Sequence, residues 1–239
     1  MSAIAEGLQA VRQRIAQAAR LAGRNPDDIR LIAVSKTFGP DAIRDAYAAG
    51  QRAFGESYLQ EALDKMPGLS ELPLEWHFIG PIQSNKTRPI AERFHWVHAV
   101  DRLKVAERLS SARAQAQPPL QVCIQVNVGA EASKSGVAPN EVLPLARAIL
   151  ALPRLRLRGL MTIPRPVEDF EAQRAQFRVL RLLRDELAAA GIVTDTLSMG
   201  MTDDLEAAIA EGATMVRVGR AIFGERALRA PGASSGAGP

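Results

Sequence analysis

A strand-like run followed by a helix-like run recurs about eight times along this chain, and few folds accommodate that rhythm. The strand-like stretches span 30–36, 52–57, 75–80, 95–100, 120–128, 155–163, 195–200 and 214–224. Helix-like stretches fall between them, over 41–49, 101–116, 141–151, 170–190 and 203–211. In front of the first strand, Ile4, Leu8, Val11 and Ile15 recur at helical spacing after a Ser2 cap, and this opening helix ends near Gly23 and Pro26. Alternation of this kind predicts a parallel sheet with helical crossovers. Eight units preceded by one helix predict a single closed (β/α)8 barrel of the TIM type, with an open doubly wound sheet as the rival reading. No linker divides the chain, since 114–119 is only a short Pro-containing loop, so one domain is expected over 1–229. The segment 230–239, rich in Gly, Ala and Ser, is expected to be a disordered tail.

Composition narrows the possible functions. The chain has 239 residues, 47% of them hydrophobic, enough for a full core. Its net charge of +4 is spread along the sequence. Even the stretch 147–184, with nine arginines, interleaves them with Leu155, Leu157, Leu160, Glu168, Asp169 and Glu171, so it reads as a solvated helix face rather than a nucleic-acid arm. A single cysteine, Cys123, forms no internal disulfide, and three histidines without helical pairing make a metal site improbable. No run approaches the roughly 20 apolar residues needed to cross a bilayer, and the N-terminus lacks a signal core. A cytoplasmic protein that contacts neither membrane nor nucleic acid is expected.

In a (β/α)8 barrel the chemistry sits at the carboxyl ends of the strands. Those ends are Lys36, Glu56 with Ser57, His77 to Gly80, Asn127, Met161 with Thr162, Ser198 to Gly200, and Arg217 to Gly219. Lys36 directly closes the apolar run Leu31, Ile32, Ala33 and Val34. It either snorkels at the sheet edge or, with its pKa lowered by desolvation, attacks a carbonyl to form a Schiff base. On the last strand, Arg217 and Gly219 are two residues apart and are expected to point the same way, with Gly219 letting a backbone N–H approach a ligand. The segment 198–204 supplies a Ser198 hydroxyl, a tight turn at Gly200 and Thr202 as a helix cap, and phosphate sites in barrels use the loops after the seventh and eighth strands. A lysine on the first strand beside such a cradle suggests a phosphorylated aldehyde, with pyridoxal 5′-phosphate the obvious one.

These residues carry a resemblance. "LIAVSKT" (31–37), "FGESY" (54–58), "EWHFIGPIQSNK" (75–86), "SKSG" (133–136), "LRLRGLMTI" (155–163), "LSMGMTDDLEAAIAEGATMVRVG" (197–219) and "AIFGER" (221–226) together resemble the pyridoxal phosphate homeostasis protein family, related to the N-terminal barrel of alanine racemase. The resemblance covers essentially the whole chain before the tail. It implies that Lys36 binds the cofactor as an internal aldimine, that Ser198 and the backbone of Gly219 and Arg220 bind the phosphate, and that Arg217 faces the pyridine nitrogen. His77 and Asn85 would lie nearer the mouth, and Lys134 would contact the cofactor or a carboxylate unless it is a plain surface lysine. Two departures stand out: Ser57 replaces the family's usual Asn, and Arg220 its common Thr. The Arg220 side chain then either replaces the lost hydroxyl with charge or points outward.

A pyridoxal phosphate racemase needs a second base on the face opposite its lysine. In alanine racemase that base is a tyrosine on another domain. Here Tyr47 falls in a helix pattern and Tyr58 follows the second strand. The leading expectation is therefore a monomeric cofactor carrier without strong turnover, which maintains the pyridoxal phosphate pool and passes cofactor to dependent apo-enzymes. The alternatives are a racemase-like enzyme and, independent of the family, a Schiff-base aldolase acting on a phosphorylated sugar.

Overall fold

A computed structural model describes residues 2–129 and 135–225. Eight parallel strands close into a barrel in sequence order, with the eighth hydrogen-bonded back to the first. The strands are β1 (Arg30–Val34), β2 (Ala53–Glu56), β3 (Glu75–Phe78), β4 (Trp96–Val100), β5 (Leu120–Gln125), β6 (Leu155–Met161), β7 (Thr196–Ser198) and β8 (Met215–Val218). The helices are α1 (Ala3–Leu21), α2 (Pro40–Ala48), α3 (Leu59–Lys65), α4 (Thr87–Arg93), α5 (Leu103–Ala112), α6 (Val142–Leu150), α7 (Phe170–Ala189), α8 (Leu205–Ala210) and α9 (Arg220–Phe223). The closed barrel was the expected fold, and the doubly wound alternative falls with ring closure. The anticipated tail at 230–239 lies outside the described residues.

Each strand is shorter than its apolar run. The segment 214–224 illustrates why: pairing stops at Val218, and Arg220, Ala221, Ile222 and Phe223 wind into a helical turn instead of continuing the sheet. Gly219 is consequently the N-cap of α9, with φ −117° and ψ −68°, and does not share a strand face with Arg217 as expected. A similar shift affects the loop after β7. The N-cap of α8 is Asp204, not Thr202, and Asp204 Oδ1 accepts the backbone N–H of Met201 at 2.6 Å.

Ring closure depends on the opening helix. Because α9 is only four residues long, no full eighth outer helix stands among the described residues, and α1 packs against α8, α9 and α2 to cover that wall. Ser2 caps it as expected, accepting the Ala5 N–H at 3.3 Å. Leu8, Val11 and Ile15 bury the apolar stripe read from the sequence, each contributing about 1.5–3 kcal/mol. Arg14 fastens the contact, donating from Nε and Nη2 to the two carboxylate oxygens of Glu206 on α8 at 2.9 and 3.0 Å.

Candidate functional site

Strand parity places the polar groups. In a strand, alternate residues share a face, and the ladder sets Ile32 against Arg217 and Val34 against Gly55. Lys36 lies two positions beyond Val34. The two line one cavity of about 430 Å³, completed by Phe38, Gly219, Arg220, Gly224 and Glu225. The first strand's lysine and the turn after the eighth strand thus open into the same space, as the sequence predicted. Gly219 has a further reason to be glycine, since a Cβ there would stand 3.0 Å from the Val34 carbonyl oxygen.

The turn that carries Lys36 is held on all sides. Thr37 adopts φ +71°, a left-handed conformation that costs a non-glycine residue about 1–2 kcal/mol. Hydrogen bonds fix it there. The Thr37 N–H donates to Glu61 Oε1 at 2.6 Å, and the Phe38 N–H donates to the Ser35 carbonyl at 3.1 Å. From α3, the buried Lys65 Nζ reaches the carbonyls of Ser35 and Phe38 at 3.1 and 3.0 Å, and the carboxylates of Glu56 and Glu61 at 2.9 and 2.8 Å. Ser35 Oγ donates to Glu56 Oε1 at 2.6 Å. Burial pushes the Glu56 carboxyl upward, and the neighbouring Lys65 ammonium and the Ser35 hydrogen bond oppose that push. Two lysines thus have separate roles in one corner: Lys65 ties the backbone, and Lys36 lines the cavity.

Arg217 is almost fully buried. Its Nη1 donates to Ser198 Oγ at 2.7 Å and its Nη2 to the Thr162 carbonyl at 2.8 Å. Burial lowers its pKa to about 10, partly offset by Asp204, so it remains a cation at neutral pH. Ser198 is fully buried, with its hydroxyl between Arg217 and His98 Nδ1, the latter at 2.8 Å. That hydroxyl does not line the cavity around Lys36, although the sequence reading had it on the phosphate. Gly200, two residues on, has φ +94°, and a Cβ there would meet that of Ala208 at 2.6 Å, so the turn entering α8 requires glycine.

The remaining candidates are dispersed. Arg220 donates from Nη2 to both Asp203 carboxylate oxygens at 2.5 and 2.6 Å, so its exposed guanidinium is tied to the β7 loop, and its backbone opens α9. His77 is not at the mouth. It is fully buried inside the barrel, because β3 turns it inward between Glu75 and His98. Asn85 is exposed in the turn Ser84–Lys86 that leaves β3. Lys134 lies outside the described residues. Reading the sequence missed Glu61, Lys65 and His98, whose roles depend on neighbours from other strands and helices. The one available signal was polar residues at inward parity within apolar strands, as in His77 and His98.

Comparison with known proteins defines the class. The chain matches the family model "Alanine racemase, N-terminal domain" over residues 7–227, so it belongs to that family of barrels. Within the class, it is 60% identical over 97% of its length to the pyridoxal phosphate homeostasis protein of Pseudomonas aeruginosa, covering 99% of that protein. It is 52% identical over 95% of its length to the homologue of the same name from Escherichia coli K12, covering 98% of it. Among solved structures, PipY of Synechococcus elongatus with PLP bound superposes at a TM-score of 0.80, with 37% identity, 92% of this chain covered and 100% of that one. The chain is a member of the pyridoxal phosphate homeostasis protein family.

Proposed function

We propose that this protein holds pyridoxal 5′-phosphate at the mouth of the barrel, attached covalently through Lys36, and maintains the cofactor pool without strong turnover of amino acids. One observation carries the reading: Lys36 and the Gly219–Arg220 turn line a single cavity. When bound, the cofactor supplies an aldehyde carbon that condenses with a primary amine, and a conjugated ring that accepts electrons. The protein's residues fit that group. Lys36 brings the amine, on a turn that its neighbours hold rigid. The backbone N–H groups of Gly219 and Arg220, which open α9, would hold the phosphate oxygens, as the first N–H groups of a helix have no intrahelical acceptor. Arg217, a donor without acceptor capacity, would stand toward the ring nitrogen in this reading and favour its unprotonated form, which would weaken the ring as an electron sink.

Ser198 enters this reading as the residue that holds Arg217, and Arg220 through its backbone. His77 and Asn85 touch the cofactor in neither case: one is sealed in the barrel and the other lies on the outer turn. The protein acts as a cytoplasmic monomer and hands its cofactor to dependent apo-enzymes. A racemase-like role would need a second base opposite Lys36. Tyr47 sits on the outer helix α2, with the Arg52 guanidinium 3.8 Å over its ring, which leaves Tyr58, half-exposed ahead of α3, as the residue that role would have to use.

Reconstitution of wild type and Lys36→Ala with pyridoxal 5′-phosphate, followed by borohydride reduction and mass spectrometry, tests the attachment. Wild type should gain one reduced adduct at Lys36 and a visible absorption band, both missing from the variant. A fully occupied adduct at another lysine in both proteins would overturn the assignment. Amino acids in heavy water should exchange their α-hydrogen no faster with the loaded protein than with free cofactor, and much faster exchange would make it an enzyme.

A further inference from the structure

A continuous line of polar side chains runs through the interior of the barrel, from Arg217 to the opposite end of the sheet. Arg217 Nη1 contacts Ser198 Oγ at 2.7 Å, and Ser198 Oγ contacts His98 Nδ1 at 2.8 Å. His98 Nε2 lies 2.9 Å from His77 Nδ1, and His77 Nε2 lies 2.7 Å from Glu75 Oε1. Glu75 opens β3 at the amino end of the barrel, where Arg30, the first residue of β1, pairs with it at 2.8 Å. Ser198, His98 and His77 are fully buried, and the Trp96 indole stacks on His77 with centroids 5.5 Å apart and planes 14° from parallel. That stacking leaves the two ring nitrogens as the polar directions of His77.

The protons in this line can be assigned from its ends. A guanidinium only donates and a carboxylate only accepts, while a neutral imidazole has one donor and one acceptor nitrogen. Burial keeps both histidines neutral, lowering His77 to about 4 and His98 further below its usual value. The Glu75 carboxylate, 2.7 Å from His77 Nε2 though off the angle of a well-formed hydrogen bond, is the negative charge nearest that ring and favours the proton on Nε2, which makes Nδ1 the acceptor. His98 must therefore donate through Nε2 and accept at Nδ1. Ser198 then gives its hydroxyl proton to His98 and accepts from Arg217. The three hydrogen bonds point the same way, from the Arg217 cation through Ser198 and His98 to His77, with the Glu75 carboxylate in ion-pair contact beyond. Aligned bonds polarise one another, and each strengthens the next.

We infer that His98 and His77 are positioning residues: together with Ser198 they form a one-way hydrogen-bond relay that fixes the Arg217 guanidinium and ties the electronic state of the ring held against it to Glu75 on the opposite face. The relay itself is a property of the chain alone, and its effect on the ring rests on the reading that the site holds pyridoxal 5′-phosphate.

Two measurements separate those parts. In the uniformly 15N-labelled protein without cofactor at pH 7, long-range imidazole proton–nitrogen correlation spectra should show His77 and His98 both protonated at Nε2, with assignments made from single His variants. Protonation of either at Nδ1, or a cationic ring, would overturn the relay. In the loaded protein, His98→Phe keeps a ring of similar volume but cuts the line. It should move the visible band and release cofactor about three- to tenfold faster, the scale at which contacting residues of one network couple. If His98→Phe does not fold, Glu75→Gln tests the half-exposed end of the line and should move the band in the same direction. An unmoved band in whichever variant folds, with wild type fully loaded, would overturn the positioning role. If wild type forms no reducible adduct while both tautomers are as assigned, the cofactor reading fails and the relay stands.

Discussion

Burial of imidazoles inside the barrel makes stability sensitive to mild acid. His77 faces Glu75, Arg30, His95 and His98, and burial lowers its pKa from 6.5 to about 4. An unfolded chain takes up that proton near pH 6.5, whereas the folded chain does not. The stabilising effect is therefore complete above about pH 6.5 and is lost as pH falls toward 4. His98, pushed down by burial and by His77 and Arg217, adds to the loss in the same direction. Burial pushes the Glu75 carboxyl up, but His77 and Arg30 outweigh it and hold it at about 2, so Glu75 acts only at lower pH. Acidification from pH 7 to 5 should thus cost roughly 1 kcal/mol per pH unit per buried histidine below pH 6. Denaturant midpoints across this range should show that slope, and His77→Leu should reduce it even if the variant is less stable overall. An equally steep slope in the variant would place the titration elsewhere. At this scale the sequence exposed what a single strand carries. Lys36 and Arg217 stand out against their apolar runs, whereas His98 gains its role from Ser198, one hundred positions away.

Strands were legible in number and order, while the short helices α3, α4 and α9 were not read and element ends were less legible. All eight strands and the six helices read from periodicity are present, because alternation and amphipathic spacing reflect which face is buried. Boundaries overran where apolar residues continue past the last ladder bond, most clearly at 221–223, where helix α9 replaces strand. That helical turn borders the cavity and leans on α1 through Gly7. A Cβ on Gly7 would stand 2.7 and 2.9 Å from the carbonyl oxygens of Ala221 and Ile222. Because the obstructing atoms are backbone, relief requires α1 and α9 to move apart. Gly7→Val should destabilise the protein by about 1–3 kcal/mol, seen as a lower denaturant midpoint. It should also weaken retention of pyridoxal 5′-phosphate by several-fold, seen by equilibrium dialysis. Retention equal to wild type in the folded variant would show that α9 does not hold the phosphate.

For the whole molecule, the feature with the widest reach is the use of α1 to cover the wall between α8 and α2. Its amphipathic pattern was evident in the sequence, but its destination was not, since nothing in the sequence spacing of Leu8, Val11 and Ile15 names a partner some 200 residues away. A chain ending at residue 213 retains α1 and β1 and lacks β8, the strand that pairs with β1. It should show helical circular dichroism without a cooperative thermal transition, and a sharp transition would mean that seven strands suffice. The same geometry governs how the protein is made. Helix α1 leaves the ribosome well before α8 and α9, which seal its apolar stripe, so it must wait through synthesis of roughly 200 residues, about 10–40 s at ordinary elongation rates. Closure then joins β1 to β8 and α1 to α8 and α9 in one late step of high contact order, the kind that sets a slow folding rate and leaves a nascent barrel dependent on chaperones until β8 is made.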